Sequence, residues 1–287
     1  MTADPRQTLY VSDLDGTLLR SDGSLSPYSV RTLNRLIGEG MPFTVASARG
    51  CGEIRYALQD LRLRSPVIAT NGAYVSDLTT GRHLAVHALP SSIAHDLWTL
   101  FDGRGYSPFV FAYDGRVDRF YYTADSLRND GMRRFHRKRE IRQDPVLCRL
   151  DDLRQGLEDQ VVRFTLIDSL PRIRDMECEV QRRHGDCVQM HCHEHYDALW
   201  YHLTVQDARA TKDRGVAALK RLLDAAPCRL VVFGDQVNDV GLSRMADEAY
   251  AVAGAAPELA EHATAVIGSN DDDAVARWLA HKWEART

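Results

Sequence analysis

Between residues 8 and 69 the chain alternates three short apolar runs with two helical patterns, and that alternation leaves few folds open. The first run, Thr8-Leu-Tyr-Val-Ser, is β-rich and ends in Asp13-Leu-Asp-Gly-Thr, where Gly16 punctuates it. Ser26-Pro27 then opens a helix, since serine caps well and proline suits the first helical position. Val30, Leu33, Leu36 and Ile37 keep helical spacing until Gly38 and Gly40 end the run. Residues 41–46 read as a second buried strand, 53–61 as a helix and 66–69 as a third strand. Strands alternating with helices indicate a parallel sheet with helices on its faces, and the single hand of parallel crossovers prunes the topologies further.

The middle of the chain has another texture. From about residue 89 to 206 the strand-like runs, such as 109–113, 120–123 and 161–167, are shorter and less uniformly apolar. They are mixed with helical patterns over 91–101 and 173–184, which suits an antiparallel α+β insert. The parallel pattern then returns: a helix over 216–223, a buried strand over 230–233 leading into Gly234-Asp235, a helix over 240–246, a strand over 250–253 and a helix over 275–280. The expected architecture is a doubly wound α/β core, Rossmann-like, built from residues 1–88 and 207–287. An α+β domain of residues 89–206 is inserted after the third core strand.

Composition supports this: 44% hydrophobic and 26% charged residues suffice for a well-buried core. A net charge of −4 argues against a nucleic-acid partner. The six cysteines are scattered without a CxxC pair, and no run approaches the ~18 apolar residues of a membrane span. The N-terminus lacks an apolar signal-peptide core. A cytoplasmic protein without membrane or disulfide framework is expected, as a monomer or homodimer.

Two acidic clusters follow apolar strands. Asp13 and Asp15 come just after the first strand, and Gly234-Asp235-Gln-Val-Asn238-Asp239 after the strand at 230–233. Ligands of open parallel sheets bind at the carboxyl ends of strands. One Asp or Asn would serve as a helix cap, but the second cluster holds three such residues. Oxygen ligands from Asp13 and Asp235 suit Mg²⁺, and the absence of His and Cys from both clusters argues against zinc. Ser47, after the second strand, has a hydroxyl and nearby backbone N–H groups that can hold a phosphate oxygen. Lys212 opens a helix expected near Gly215.

With these residues in hand, the chain resembles the haloacid dehalogenase superfamily, specifically its Cof-type phosphatases with a type IIB cap. The resemblance is carried by Asp13-Leu-Asp-Gly-Thr, Ser47 in Val-Ala-Ser-Ala-Arg, Ala69-Thr-Asn-Gly-Ala, Lys212, Gly234-Asp-Gln-Val-Asn-Asp and Ser269-Asn-Asp-Asp-Asp-Ala-Val, in family order. It implies that Asp13 is a nucleophile and Asp15 a general acid/base. It implies that Ser47 and Lys212 bind the transferring phosphoryl group. Mg²⁺ would be held by Asp13, the Asp15 carbonyl and Asp235, with Asp239 supporting it through water. Asn238 would contact phosphate, and Asn71 would lie near the phosphate or the cap hinge. Asp15 would need a raised pKa, as a carboxyl crowded by others has.

The family's usual Thr-Gly-Arg is here Ser-Ala-Arg, and Asp213-Arg214 separate Lys212 from Gly215, so Arg214 competes with Lys212 for the phosphate role. The implied activity is hydrolysis of a small phosphorylated metabolite, a sugar phosphate or a phosphorylated cofactor precursor, through an aspartyl-phosphate. A phosphomutase and a non-catalytic sensor are the alternatives. His191, His193 and His195 alternate along a strand, where a solvent-facing edge is favoured over a metal site. The basic run at 132–139 reads as a solvated helical face.

Overall fold

The computed structural model describes residues 7–141, 145–194, 199–223 and 229–285. The chain begins with β1 (Thr8–Ser12), α1 (Pro27–Gly38), β2 (Phe43–Val45), α2 (Cys51–Ala57), β3 (Val67–Ala69), β4 (Tyr74–Ser76) and β5 (His83–Val86). There follow α3 (Ser91–Gly103), β6 (Phe109–Tyr113), β7 (Asp118–Tyr122), α4 (Asp130–Ile141), β8 (Leu147–Arg149), β9 (Gln160–Asp168), α5 (Leu170–His184), β10 (Val188–Glu194) and β11 (Tyr201–Asp207). The chain closes with α6 (Lys212–Leu222), β12 (Arg229–Gly234), α7 (Val240–Met245), β13 (Glu248–Ala251), α8 (Pro257–Ala260), β14 (Ala265–Val266) and α9 (Ala274–Glu284).

The described residues up to Ala85 and from Thr211 onward form one compact unit, and Val86 to Ala210 form another. In the first, a parallel sheet has the order β14-β13-β12-β1-β2. Ala46 bridges in parallel to Ile68, so β3 continues the same edge. Side chains alternate across the strands. Leu9, Val11, Leu230 and Val232 pack on Val216 and Leu219 of α6 and Leu242 of α7. On the other face, Phe233 and Tyr250 meet Trp278 of α9, with ring centroids 5.2 and 4.4 Å away. Both faces are thus covered, as a doubly wound sheet requires. The α1 helix starts as its sequence predicts: the Ser26 hydroxyl accepts from the Ser29 N–H at 3.0 Å and Pro27 is its first residue. Such a cap contributes about 1 kcal/mol.

The second unit carries a six-stranded sheet of order β10-β11-β9-β6-β7-β8. It is antiparallel except that β8 joins β7 in parallel, a pair the expectation of an antiparallel insert did not contain. β3 first turns into a three-stranded sheet with β4 and β5, and only then does the chain depart. At the far end, β11 extends to Asp207, and the next turn is tied back to it: Gln206 Nε2 donates to the Ala210 carbonyl at 2.9 Å and Arg209 pairs with Asp207 at 2.7 Å. This turn belongs to the second compact unit, which runs to Ala210.

The basic run lies on α4, whose arginines are not uniformly solvated. The Arg139 guanidinium stands 4.6 and 4.7 Å from the ring centroids of Phe135 and Phe120. The edge strand β10 carries His191 and His193, and the His193 ring tilts against His202 across the pair. His195 and Cys228 lie outside the described residues. Among the described residues, no helix is long and apolar enough to cross a membrane.

Candidate active site

From β1 the sheet grows in two directions, to β2 on one side and to β12 on the other. A crevice forms at the carboxyl ends where such an order reverses. Asp13 is the first residue past β1 and Asp235 the first past β12. The Asp13 N–H donates to the Phe233 carbonyl at 2.9 Å, which holds the two strand ends in register.

Three carboxylates converge there. Asp13, Asp235 and Asp239 are 5, 8 and 2% exposed, and one oxygen of each lies within 4.8 Å of the others. Lys212 joins them at 1% exposure, its Nζ 2.8 Å from Asp13 Oδ1 and 2.7 Å from Asp239 Oδ1. The other Asp239 oxygen accepts the N–H groups of Asp235 and Gln236, both at 3.2 Å. Asp235 accepts from the Thr17 hydroxyl at 2.9 Å and from Gln236 Nε2 at 3.2 Å. Gly16 must be small as well as left-handed (φ +74°), because a Cβ there would stand 2.4 Å from Asp235 Oδ2.

Charge explains the tension in this cluster. Burial, countered by Lys212 and reinforced by the Asp239 charge, pushes the Asp13 carboxyl up to about 7. Burial also opposes the charge on Lys212, yet Asp13 and Asp239 outweigh it and hold the amine above the ordinary lysine range. Three buried carboxylates against one ammonium leave a negative surplus that a small hard cation would neutralise. An all-oxygen donor set fits Mg²⁺.

α6 brings Lys212 to this place by beginning earlier than its sequence suggests. Thr211 is its N-cap, its hydroxyl accepting from the Arg214 N–H at 3.3 Å, so Lys212 is the first helical residue. Of the two competing cations, Lys212 lies within the cluster while Arg214 is exposed.

Asp15 is placed apart from the three clustered carboxylates. Its side chain is 53% exposed and takes a two-point ion pair from Arg49, Nε to Oδ2 at 2.8 Å and Nη2 to Oδ1 at 2.5 Å. A cation, not a crowd of carboxyls, is therefore its neighbour. Arg49 had no assigned role in the sequence, although it stands two residues after Ser47 in the same post-strand loop. Thr17 and Gln236 were likewise missed, and both are polar residues inside the two acidic motifs.

Ser47 is fully buried, and its hydroxyl accepts from the Arg49 N–H at 3.1 Å. Its loop is pinned from the next strand: Asn71 N–H donates to the Ser47 carbonyl and Thr70 N–H to the Arg49 carbonyl, both at 2.9 Å. To do this Thr70, Asn71 and Gly72 take left-handed backbone in succession (φ +52°, +54° and +96°). For a β-branched threonine this is strained, and such strain persists only where the surroundings over-determine it. Gly72 also abuts the backbone of Thr211, where a Cβ would come within 1.9 Å of the carbonyl oxygen. One turn therefore braces both the Ser47 loop and the start of the Lys212 helix. Asn71 Oδ1 accepts from Asn238 Nδ2 at 3.0 Å, so the two asparagines meet.

Comparison with known proteins bears on the family and the fold. A family model described as haloacid dehalogenase-like hydrolase matches residues 10–279. The 5-amino-6-(5-phospho-D-ribitylamino)uracil phosphatase YitU of Bacillus subtilis is 22% identical, with 94% of this chain and 96% of that protein covered. The pyridoxal phosphate phosphatase YbhA of Escherichia coli is 25% identical, with 93% and 95% covered. A crystal structure from Thermotoga maritima superimposes with a TM-score of 0.75 at 20% identity, covering 96% of each chain.

Proposed function

The chain belongs to the haloacid dehalogenase-like hydrolases and is a phosphoric monoester hydrolase, and from that premise we propose that it dephosphorylates a small metabolite through a phosphoryl group carried on Asp13, with Mg²⁺ as cofactor. The observation that carries this reading is the buried Lys212 amine bridging Asp13 and Asp239 beside Asp235. A lone surface acid could not do this chemistry. A buried carboxylate held between an ammonium and further oxygen ligands can.

In the first step an Asp13 oxygen attacks phosphorus, the bond from phosphorus to the ester oxygen breaks, and Asp15 gives that oxygen its proton. In the second, Asp15 takes a proton from water, the water oxygen attacks phosphorus, and the acyl-phosphate bond breaks to restore Asp13 and release inorganic phosphate. Mg²⁺ held by Asp13, Asp235, the Asp15 carbonyl and, through water, Asp239 would supply the positive charge that lets one anion approach another. Lys212 neutralises the charge that spreads over the transferring oxygens. Ser47, Asn71 and Asn238 orient the phosphate.

In the structure Arg49 occupies both carboxylate oxygens of Asp15. To act as the acid in the first step, Asp15 must leave Arg49 and carry a proton. Selection of the organic part is assigned to the inserted unit. Because YitU and YbhA are named for a phosphoribityl-aminouracil and for pyridoxal phosphate, phosphorylated cofactor precursors are the first substrates to try, with sugar phosphates beside them.

The test is a phosphate-release screen over such compounds with Mg²⁺ or with EDTA. Inorganic phosphate should appear with Mg²⁺ and fall by about 100-fold or more in EDTA. Turnover indifferent to EDTA would remove the cation from the scheme. Isomerised substrate without free phosphate would make the enzyme a mutase.

A further inference from the structure

The three clustered carboxylates do not offer all their oxygens freely to a cation. Asp239 has both in use: Oδ1 accepts from Lys212 at 2.7 Å, and Oδ2 from the N–H groups of Asp235 and Gln236, both at 3.2 Å. Asp13 has one in use, because Oδ1 meets the Lys212 amine at 2.8 Å. Asp235 has a separate side-chain donor on each oxygen. The Thr17 hydroxyl donates to Oδ1 at 2.9 Å and Gln236 Nε2 to Oδ2 at 3.2 Å.

These two donors are anchored in different parts of the core unit. Thr17 is 1% exposed and follows the left-handed turn at Gly16. Gln236 is exposed, but its own N–H bonds Asp239 while its side chain bonds Asp235, so one residue grips both acids of the second cluster. The Asp235 main chain is fixed as well. Its carbonyl accepts from the Ala256 N–H at 2.7 Å, and its N–H donates to Asp239. Gly16 lies against Oδ2 so closely that even a methyl group there would collide with it.

A carboxylate held this way suits some ions better than others. Mg²⁺ takes six oxygens in a strict octahedron and keeps several waters, whereas Ca²⁺ takes six to eight at longer distances and commonly draws both oxygens of one carboxylate. Turning Asp235 to give both oxygens to one ion would loosen its bonds from Thr17 and Gln236, and hydrogen bonds to a charged group are among the stronger ones. Ligation through one oxygen leaves the other with its donor. The positions left over then fall to water and phosphate, which is how Mg²⁺ is ordinarily held.

We propose that Thr17 and Gln236 are positioning residues that hold Asp235 to one-oxygen ligation and thereby make the site prefer Mg²⁺ to Ca²⁺. This assignment rests on the phosphatase reading and deepens it. It names the residues of this chain that choose the ion, neither of which is itself a ligand.

The full chain, Thr17→Val, Thr17→Ser, Gln236→Met and Val237→Ala would each be melted across a concentration series of MgCl₂ alone and of CaCl₂ alone. The rise in Tm with cation gives the affinity for each ion. The parent should bind Mg²⁺ more tightly than Ca²⁺. In Thr17→Val and in Gln236→Met that preference should fall roughly tenfold, mainly through weaker Mg²⁺ binding, as loss of a group that orients a ligand does. Thr17→Ser keeps the hydroxyl and should keep the preference, and so should Val237→Ala, whose exposed side chain controls for disturbance of the loop. Equal weakening of both ions overturns the proposal, because a general loosening of the site would produce it. An unchanged preference in either Thr17→Val or Gln236→Met also overturns it, as does a parent that binds Ca²⁺ as tightly as Mg²⁺. Should Thr17→Val not fold, Gln236→Met decides, because its side chain lies at the surface. A parent that binds neither ion defeats the cation of the phosphatase reading and this inference with it. A parent that binds Mg²⁺ yet releases no phosphate from any ester defeats the turnover reading alone.

Discussion

Asp13→Asn is expected to abolish turnover, by about 10⁴-fold or more, while the protein stays folded. The amide matches the carboxylate in size, so the packing of the β1 end survives. It cannot form the acyl-phosphate bond, because an amide oxygen is a poor nucleophile. The variant should be at least as stable as the parent in the absence of a divalent ion. Burial already penalises the charge on Asp13, and the amide removes that penalty together with the repulsion from Asp239. Loss of the pairing with Lys212 works against this gain. Steady-state phosphate release on any accepted substrate, with a thermal melt as the folding control, checks both halves. Residual activity near that of the parent would take Asp13 out of the chemistry.

Lys212→Met should hurt both catalysis and the fold. Loss of one preorganised charge costs on the order of 10² to 10³ in kcat. Breaking a buried ion pair from one side costs about 3–5 kcal/mol, because the partners are left buried and uncompensated. Here two partners are abandoned, Asp13 and Asp239. The pH dependence follows from the signs. Asp13 has a folded pKa raised to about 7, so its proton is held more tightly in the folded chain than in the unfolded one. Its contribution to stability is full below the unfolded pKa near 4 and is lost as pH rises through about 7. Lys212 pulls that folded pKa down, so removing it raises the value and deepens the loss. Urea midpoints of the metal-free variant should therefore fall more steeply between pH 5 and 8 than those of the parent. Parallel pH profiles would show that Lys212 and Asp13 do not interact as described.

The parts of this site that are legible in the sequence are those where a polar residue interrupts an apolar strand pattern at its carboxyl end. Asp13 and Asp235 stand out for that reason, and the sheet order puts them side by side. Fold class follows from the same alternation of periods, and β6 has the bounds its pattern suggests. Less legible is whatever tertiary contact decides. The start of α6 reads as Gly215 by composition, but Thr211 caps the helix and buries Lys212. The left-handed Thr70 cannot be read from propensity, which disfavours it, because backbone bonds from a neighbouring loop impose it. The Arg49 pairing with Asp15 joins residues 34 positions apart, and no local pattern announces it. Strands β4 and β5 are short and only partly apolar, too brief for period 2 to register.

The neighbouring strands β1 and β12 are far apart along the chain, Asp13 and Asp235 standing 222 positions from one another. At ribosomal rates of about 5–20 residues per second, the first carboxylate therefore waits roughly ten to forty seconds for the second. Throughout that interval β1 has one long-term neighbour still unmade, and its other parallel partner, β2, must shelter it. A nascent chain of this design therefore has no complete carboxylate cluster until Asp235 and Asp239 have both emerged.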